Sequence, residues 1–173
     1  MTSALVIIDV QKGMFSAATP FGGVQIVKTL AGILAKARAA NAPIFFVQHD
    51  GGRASPLAKG SEGFDFVNAL TPEPSEDVTV KCHCSAFQDT DLFDKLTNVG
   101  VEHIVVGGMQ TEFCVDTAVR GAFERGLAVT LVEDGHTTFD TPALGGEQIV
   151  SHHNHTLASG HFAKVTPAVE IEF

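Results

Sequence analysis

The apolar positions of the chain fall into two alternating kinds of segment. Residues 4–10 (A-L-V-I-I-D-V) form a nearly continuous apolar run, β-branched and too short for a helix, which predicts a strand buried on both faces. Ile26, Leu30, Ile33, Leu34 and Ala37 then recur at helical spacing until Asn41, Ala42 and Pro43 end the helix, and residues 44–47 make a second strand. Residues 48–74 carry no such period. A loop of that length in a compact domain is usually functional or disordered, and this one is expected over the strand ends, with a helical turn near residues 64–69. Residues 78–81 (V-T-V-K) are a third strand, and Leu92, Phe93 and Leu96 mark a helix that ends near Gly100. Ile104, Val105 and Val106 open a fourth strand, which passes through Gly107 and Gly108 into a helix carrying Val115, Ala118, Val119 and Ala122 on one face. Residues 128–132 give a fifth strand, 142–159 a last helix, and 163–171 the last strand or strands.

Strands that alternate with helices throughout predict an α/β fold: a three-layer, doubly wound, Rossmann-like parallel sheet with helices on both faces. At 173 residues and 45% apolar content, one domain spanning residues 1–173 can build its own core. The 11 Lys and Arg against 20 Asp and Glu leave a net charge of -9, which opposes binding to nucleic acid or to an anionic membrane surface. Three cysteines, two of them at Cys82 and Cys84, argue against a disulfide framework and favour a reducing, cytoplasmic setting. The apolar start is too short for a signal segment or a membrane span and runs straight into Asp9.

In sheets of this kind the ligand site lies outside the carboxyl ends of the strands, where strand order reverses. Three reactive side chains fall at that edge: Asp9 after the first strand, Lys81 after the third, and Cys114 where the helix after the fourth begins. Each has a plainer reading, as a cap for Asp9, a solvated strand end for Lys81 and a packing residue for Cys114. Together they describe acyl transfer to water through a thioester. The helix terminus favours a thiolate, Asp9 takes the thiol proton, Lys81 holds Asp9 ionised, and amides around Cys114 receive the oxyanion.

The order of L-V-I-I-D-V-Q (residues 5–11), V-K-C-H-C-S-A-F (80–87) and V-V-G-G-M-Q-T-E-F-C-V-D (105–116) resembles the isochorismatase-like cysteine hydrolase superfamily, which includes nicotinamidases and N-carbamoylsarcosine amidohydrolases. Segments at 48–51 and 147–154 extend the likeness over nearly the whole chain. The resemblance implies a six-stranded parallel sheet, an Asp-Lys-Cys triad matched by Asp9, Lys81 and Cys114, and a cis peptide between Met109 and Gln110. That link would aim the amides of Gln110 and Cys114 at an oxyanion. It also implies a homo-oligomer, a dimer or a tetramer. Nicotinamidases bind a metal through an Asp-x-His pair and a further His after the second strand. Here that region offers His49 and Asp50, with no other His before His83, so no metal and no cofactor is expected. Relatives that cleave an enol ether commonly lack the Cys, so the expected substrate is a small amide-like or carbamoyl-like compound cleaved at C–N.

Phe15, His49, Phe87 and Phe113 flank the triad and are candidate substrate contacts, against the alternative that the Phe rings are core and that His49 orders a loop. Cys82, His83 and Cys84 with His152, His153 and His155 lack the paired spacing of a metal site. The glycine pairs form neither G-x-G-x-x-G nor a P-loop. A small-molecule binding or regulatory protein on the same fold is the alternative from a different class.

Overall fold

The computed structural model describes Thr2 to Phe173. Its centre is a six-stranded sheet of β1 (Thr2–Ile8), β2 (Ile44–His49), β3 (Asp77–Lys81), β4 (Val101–Met109), β5 (Ala128–Thr137) and β6 (Lys164–Thr166). All pairings are parallel, in the order β3-β2-β1-β4-β5-β6. The helices are α1 (Gly23–Ala39), α2 (Leu92–Asn98), α3 (Asp116–Glu124) and α4 (Gly146–Ser159).

The apolar run in β1 fills both faces because successive side chains point to opposite sides. Ala4, Val6 and Ile8 join Phe45, Val47, Ile104 and Val106 beneath Leu96 of α2, Val119 of α3 and Leu157 of α4. Leu5 and Ile7 join Phe46 and Val105 beneath Ile26, Leu30, Ile33 and Leu34 of α1. Helices therefore cover both faces, three on one and one on the other.

The chain runs outward from β1 to β2 and β3, then crosses to β4 on the far side of β1. Strand order thus reverses between β1 and β4, which sets a crevice at their carboxyl ends. The approach there is very close. Gly108 pairs with Ile8 and has φ 137, and a Cβ on it would stand 2.0 Å from the Ile8 carbonyl oxygen. Only glycine lets β4 reach that point.

Several bounds differ from the sequence reading. β4 and β5 continue to Met109 and Thr137 because each supplies the other's partner, with Gly108 opposite His136 and Met109 opposite Thr137. The last helix starts at Gly146, whose N–H donates to Asp140 Oδ1 at 2.7 Å, so the residues after Pro142 form the turn before the helix. The last strand stops at Thr166 and a 3-10 turn, Ala168–Glu170, follows. Two 3-10 turns, Glu62–Phe64 and Asn68–Leu70, stand where a single helical turn is expected in the long loop. Among the described residues no helix is long and apolar enough to cross a membrane.

Candidate active site

Asp9 leaves β1 with φ 52, in the left-handed region that Asp tolerates better than most side chains. The turn is held by its N–H on the Val47 carbonyl and by the Gln11 N–H on its own carbonyl, each at 2.9 Å. This kink places the carboxylate in a pocket where it is 2% exposed. A buried carboxylate needs a cation, and Lys81 supplies it from the carboxyl end of β3: its Nζ lies 2.7 Å from Asp9 Oδ2, with no exposure of the Lys81 side chain. The same ammonium donates to the His83 carbonyl at 3.1 Å and to Cys114 Sγ at 3.2 Å, and faces His49 Nδ1 at 3.3 Å.

Cys114 sits in a π-helical turn, Thr111–Val115, that runs directly into α3. Phe113 and Val115 donate their N–H groups to the Gln110 carbonyl, which fixes the turn to the end of β4. The Met109–Gln110 peptide before it is cis. From the other side the buried Thr111 hydroxyl pairs with His136 Nδ1 at 2.9 Å, and His136 Nε2 pairs with Asn154 Oδ1 of α4 at 2.9 Å. A ring held between these two partners ties the cysteine turn to β5 and α4.

Burial pushes His136 down to about 4, so the folded chain holds it neutral well below the ordinary imidazole range. The unfolded chain takes up that proton near pH 6.5, so the stabilisation is complete above pH 6.5 and is lost as pH falls toward 4. Its size is about 3 kcal/mol across that window. Urea unfolding at pH 7.5, 5.5 and 4.5 should show the loss, and a His136→Gln variant should show a flatter profile over the same range. An equal slope in both proteins would remove His136 as the cause.

The electrostatics of the pair depart from the helix-terminus expectation. Burial, aided by the Asp9 charge, pushes the Cys114 thiol up to about 12, against the pull of Lys81. The resting cysteine is therefore a thiol. Burial likewise raises Asp9 above its usual range although Lys81 opposes it, which makes the carboxylate a stronger proton acceptor. The Lys81 ammonium and the Cys114 thiol are both among the groups that engage the Asp9 carboxylate. Lys81 is held charged: burial disfavours the ammonium, but the Asp9 carboxylate beside it and the hydrogen bond to Cys114 outweigh that.

Above these groups is a cavity of about 180 Å³, room for about six waters at liquid density. Its floor is Asp9 and Cys114, with His49 and Gln110 at the sides and Met14, Leu57, Met109 and Phe113 as the apolar wall. Phe113 and His49 thus reach the site as the sequence pattern places them. Phe15 and Phe87 do not line it. Phe15 packs with the α1 core, and Phe87 lies in the opposite core against Phe93 with Arg125 over its ring. Met14 and Leu57 take their place, because the 3-10 turn Lys12–Phe15 presents Met14 and the long loop folds back over it. That loop is tightly seated, since a Cβ on Gly13 or Gly63 would stand 2.7 or 2.0 Å from the Pro56 carbonyl oxygen. Cys84 also borders the cavity.

Gln11 was legible only as part of a motif. Fully buried, it accepts from the His49 N–H at 2.9 Å and donates to the His49 and Phe64 carbonyls at 3.1 and 2.9 Å, clamping β1, β2 and the loop together. The signal in the sequence is a glutamine two residues after a strand-end acid.

The His49 and Asp50 pair does not fit a resident metal. Asp50 Oδ1 accepts the N–H groups of Gly52 and Lys59, which shapes the loop, and His49 Nδ1 faces an ammonium. Among the described residues no group of three or more His, Cys, Asp or Glu is placed to hold a metal ion.

A family model for the isochorismatase domain matches residues 3–166. The chain belongs to the isochorismatase family. Streptothricin hydrolase from Streptomyces noursei is 35% identical, over 83% of this chain and 57% of that protein. Ureidoacrylate amidohydrolase RutB from Methylobacterium radiotolerans is 30% identical, over 72% of this chain and 62% of that protein. The chain thus spans about three fifths of the length of these two relatives. The crystal structure of an isochorismatase from Pseudomonas putida KT2440 superimposes with a TM-score of 0.92 at 29% identity, covering 98% of this chain and 89% of that one. A further relative is nicotinamidase 3 from Arabidopsis thaliana, 29% identical over 80% of this chain and 74% of that protein.

Proposed function

We propose that this chain is a single-domain, metal-independent cysteine hydrolase that cleaves the C–N bond of a small amide-like or carbamoyl-like substrate through a Cys114 thioester. The observation that carries the reading is the contact of one buried ammonium with both Asp9 and Cys114, at 2.7 and 3.2 Å, on the floor of a small cavity. A thiol near 12 is a poor nucleophile by itself, so attack must be coupled to loss of its proton, and Asp9 is the acceptor at hand.

As Sγ bonds to the carbonyl carbon, the thiol proton passes to Asp9 and the carbonyl oxygen becomes an oxyanion. The amides of Gln110 and Cys114 are assigned as its donors. Collapse breaks the C–N bond while Asp9 returns the proton to the departing nitrogen. A water then attacks the thioester, gives its proton to Asp9, and the proton goes back to sulfur as the acid leaves. Lys81 keeps Asp9 ionised between these transfers and steadies the sulfur anion as it forms.

Incubation with a panel of small amides, ureas and carbamoyl compounds should release ammonia or amine, with no loss of rate in a chelator. The base works only when unprotonated, so kcat/KM should rise with pH through a single acid limb. Its midpoint should lie above the ordinary carboxylate value of 3.8, in the direction that burial shifts Asp9. Chelator inhibition reversed by zinc, or an acid limb at or below 3.8, would contradict the reading. The family likeness and the contacts of Lys81 with Asp9 and Cys114 favour turnover over a purely binding role.

A further inference from the structure

Lys81 has three N–H donors and no acceptor. Around its Nζ stand four acceptors: Asp9 Oδ2, the His83 carbonyl, Cys114 Sγ and His49 Nδ1. Two consequences follow. No Lys81 proton remains for a substrate group, and His49 Nδ1 cannot carry a hydrogen, since it would then point at an ammonium. The His49 ring is therefore neutral with its proton on Nε2. Burial and the Lys81 charge both lower its tendency to protonate, while Asp9 and Asp50 act the other way and His83 adds to Lys81. The backbone that carries the ring is also held, because Gln11 clamps the His49 N–H and carbonyl.

His49 borders the cavity, and among the described residues no protein group engages its Nε2. We propose that His49 is a specificity-determining residue: its Nε2–H donates to a second, uncharged acceptor atom of the substrate, close to the scissile carbonyl. The class it selects is a small amide or carbamoyl compound with an ether, carbonyl or imine acceptor within a few bonds of the C–N bond. Two features set those limits. A space of about 180 Å³ keeps the second acceptor near the first, and among the described lining residues none is a Lys or Arg to meet a carboxylate. Met14, Leu57 and Phe113 cover the remainder, where further polar groups would be stranded. This inference rests on the proposed amidase reading.

The test compares 2-methoxyacetamide with butyramide, which differ by an ether oxygen in place of a methylene. Wild type should prefer the ether by about tenfold or more in kcat/KM. His49→Phe should remove that preference, and His49→Gln, which keeps an N–H donor, should retain part of it. Equal discrimination in wild type and His49→Phe would overturn the proposal. A second arm needs no turnover: 15N NMR of the Cys114→Ala protein should show His49 as the Nε2–H tautomer at pH 7, with that resonance shifting on titration with 2-methoxyacetamide and not with butyramide. An Nδ1–H tautomer, an imidazolium, or no selective shift would refute the role of His49. Absence of turnover of either amide alongside a selective shift would instead count against the proposed amidase reading and leave the His49 contact supported.

Discussion

Replacing Cys114 with Ala is expected to reduce amide turnover by about 10³-fold or more, to the level left by the oxyanion donors and binding alone. The fold should be retained. Cys114 is only partly buried in its turn, and that turn is held by the Gln110 carbonyl, Thr111 and His136 rather than by the sulfur. Cys114→Ser should be nearly as inactive, because an alcohol is harder to deprotonate than the thiol and Asp9 is tuned to the latter. Three measurements separate lost chemistry from lost structure: the rate of amine release, the intact mass of the protein during turnover, and the urea midpoint. Wild type should show a transient mass increase equal to the acyl group, and neither variant should. A Cys114→Ala protein that turns over the same amide within tenfold of wild type would end the nucleophile assignment.

The second large effect is on stability. Lys81→Met should cost about 3–5 kcal/mol at neutral pH, because it leaves the buried Asp9 carboxylate without its counter-ion. The double variant Asp9→Asn/Lys81→Met should recover a good part of the loss, since no charge is then buried. The single variant should also have its own pH dependence. Without Lys81 the Asp9 pKa rises still further above its unfolded value, so the folded state binds the extra proton. Stability is then retained at low pH and lost as pH rises through the folded pKa. The penalty of Lys81→Met should therefore be smaller at pH 5 than at pH 8. Urea unfolding of wild type, single and double variants at both values tests this, and a single-variant cost below about 1 kcal/mol at pH 8 would show that the pair is not the buried contact described.

Both expectations depend on side chains that come from distant parts of the chain, and this divides what can be read from order alone from what cannot. The apolar run of β1 announces a strand covered on both faces, and the spacing of Ile26, Leu30, Ile33, Leu34 and Ala37 announces α1, because period and burial are local consequences of backbone geometry. An acid ending one buried strand and a lysine ending another are likewise visible, since neither belongs there without a partner. The apolar wall was less legible. Phe15 and Phe87 sit beside the reactive residues in sequence, yet both point into core, while Met14 and Leu57 reach the cavity through the curl of a 3-10 turn and the return of a long loop. No periodicity marks such segments.

Residue order is thus enough for the alternation of strands and helices, the parallel sheet, and the candidacy of Asp9, Lys81 and Cys114 at its carboxyl edge. Those follow from residue spacing and from the cost of burying a charge. The distances among the three groups, the kink at Asp9 and the clamp of Gln11 on His49 come from the folded arrangement. It also decided the protonation of the resting site. A helix terminus alone favours a thiolate, but burial beside the Asp9 carboxylate raises the Cys114 thiol to about 12, because desolvation and a neighbouring negative charge both depend on what is packed around the sulfur.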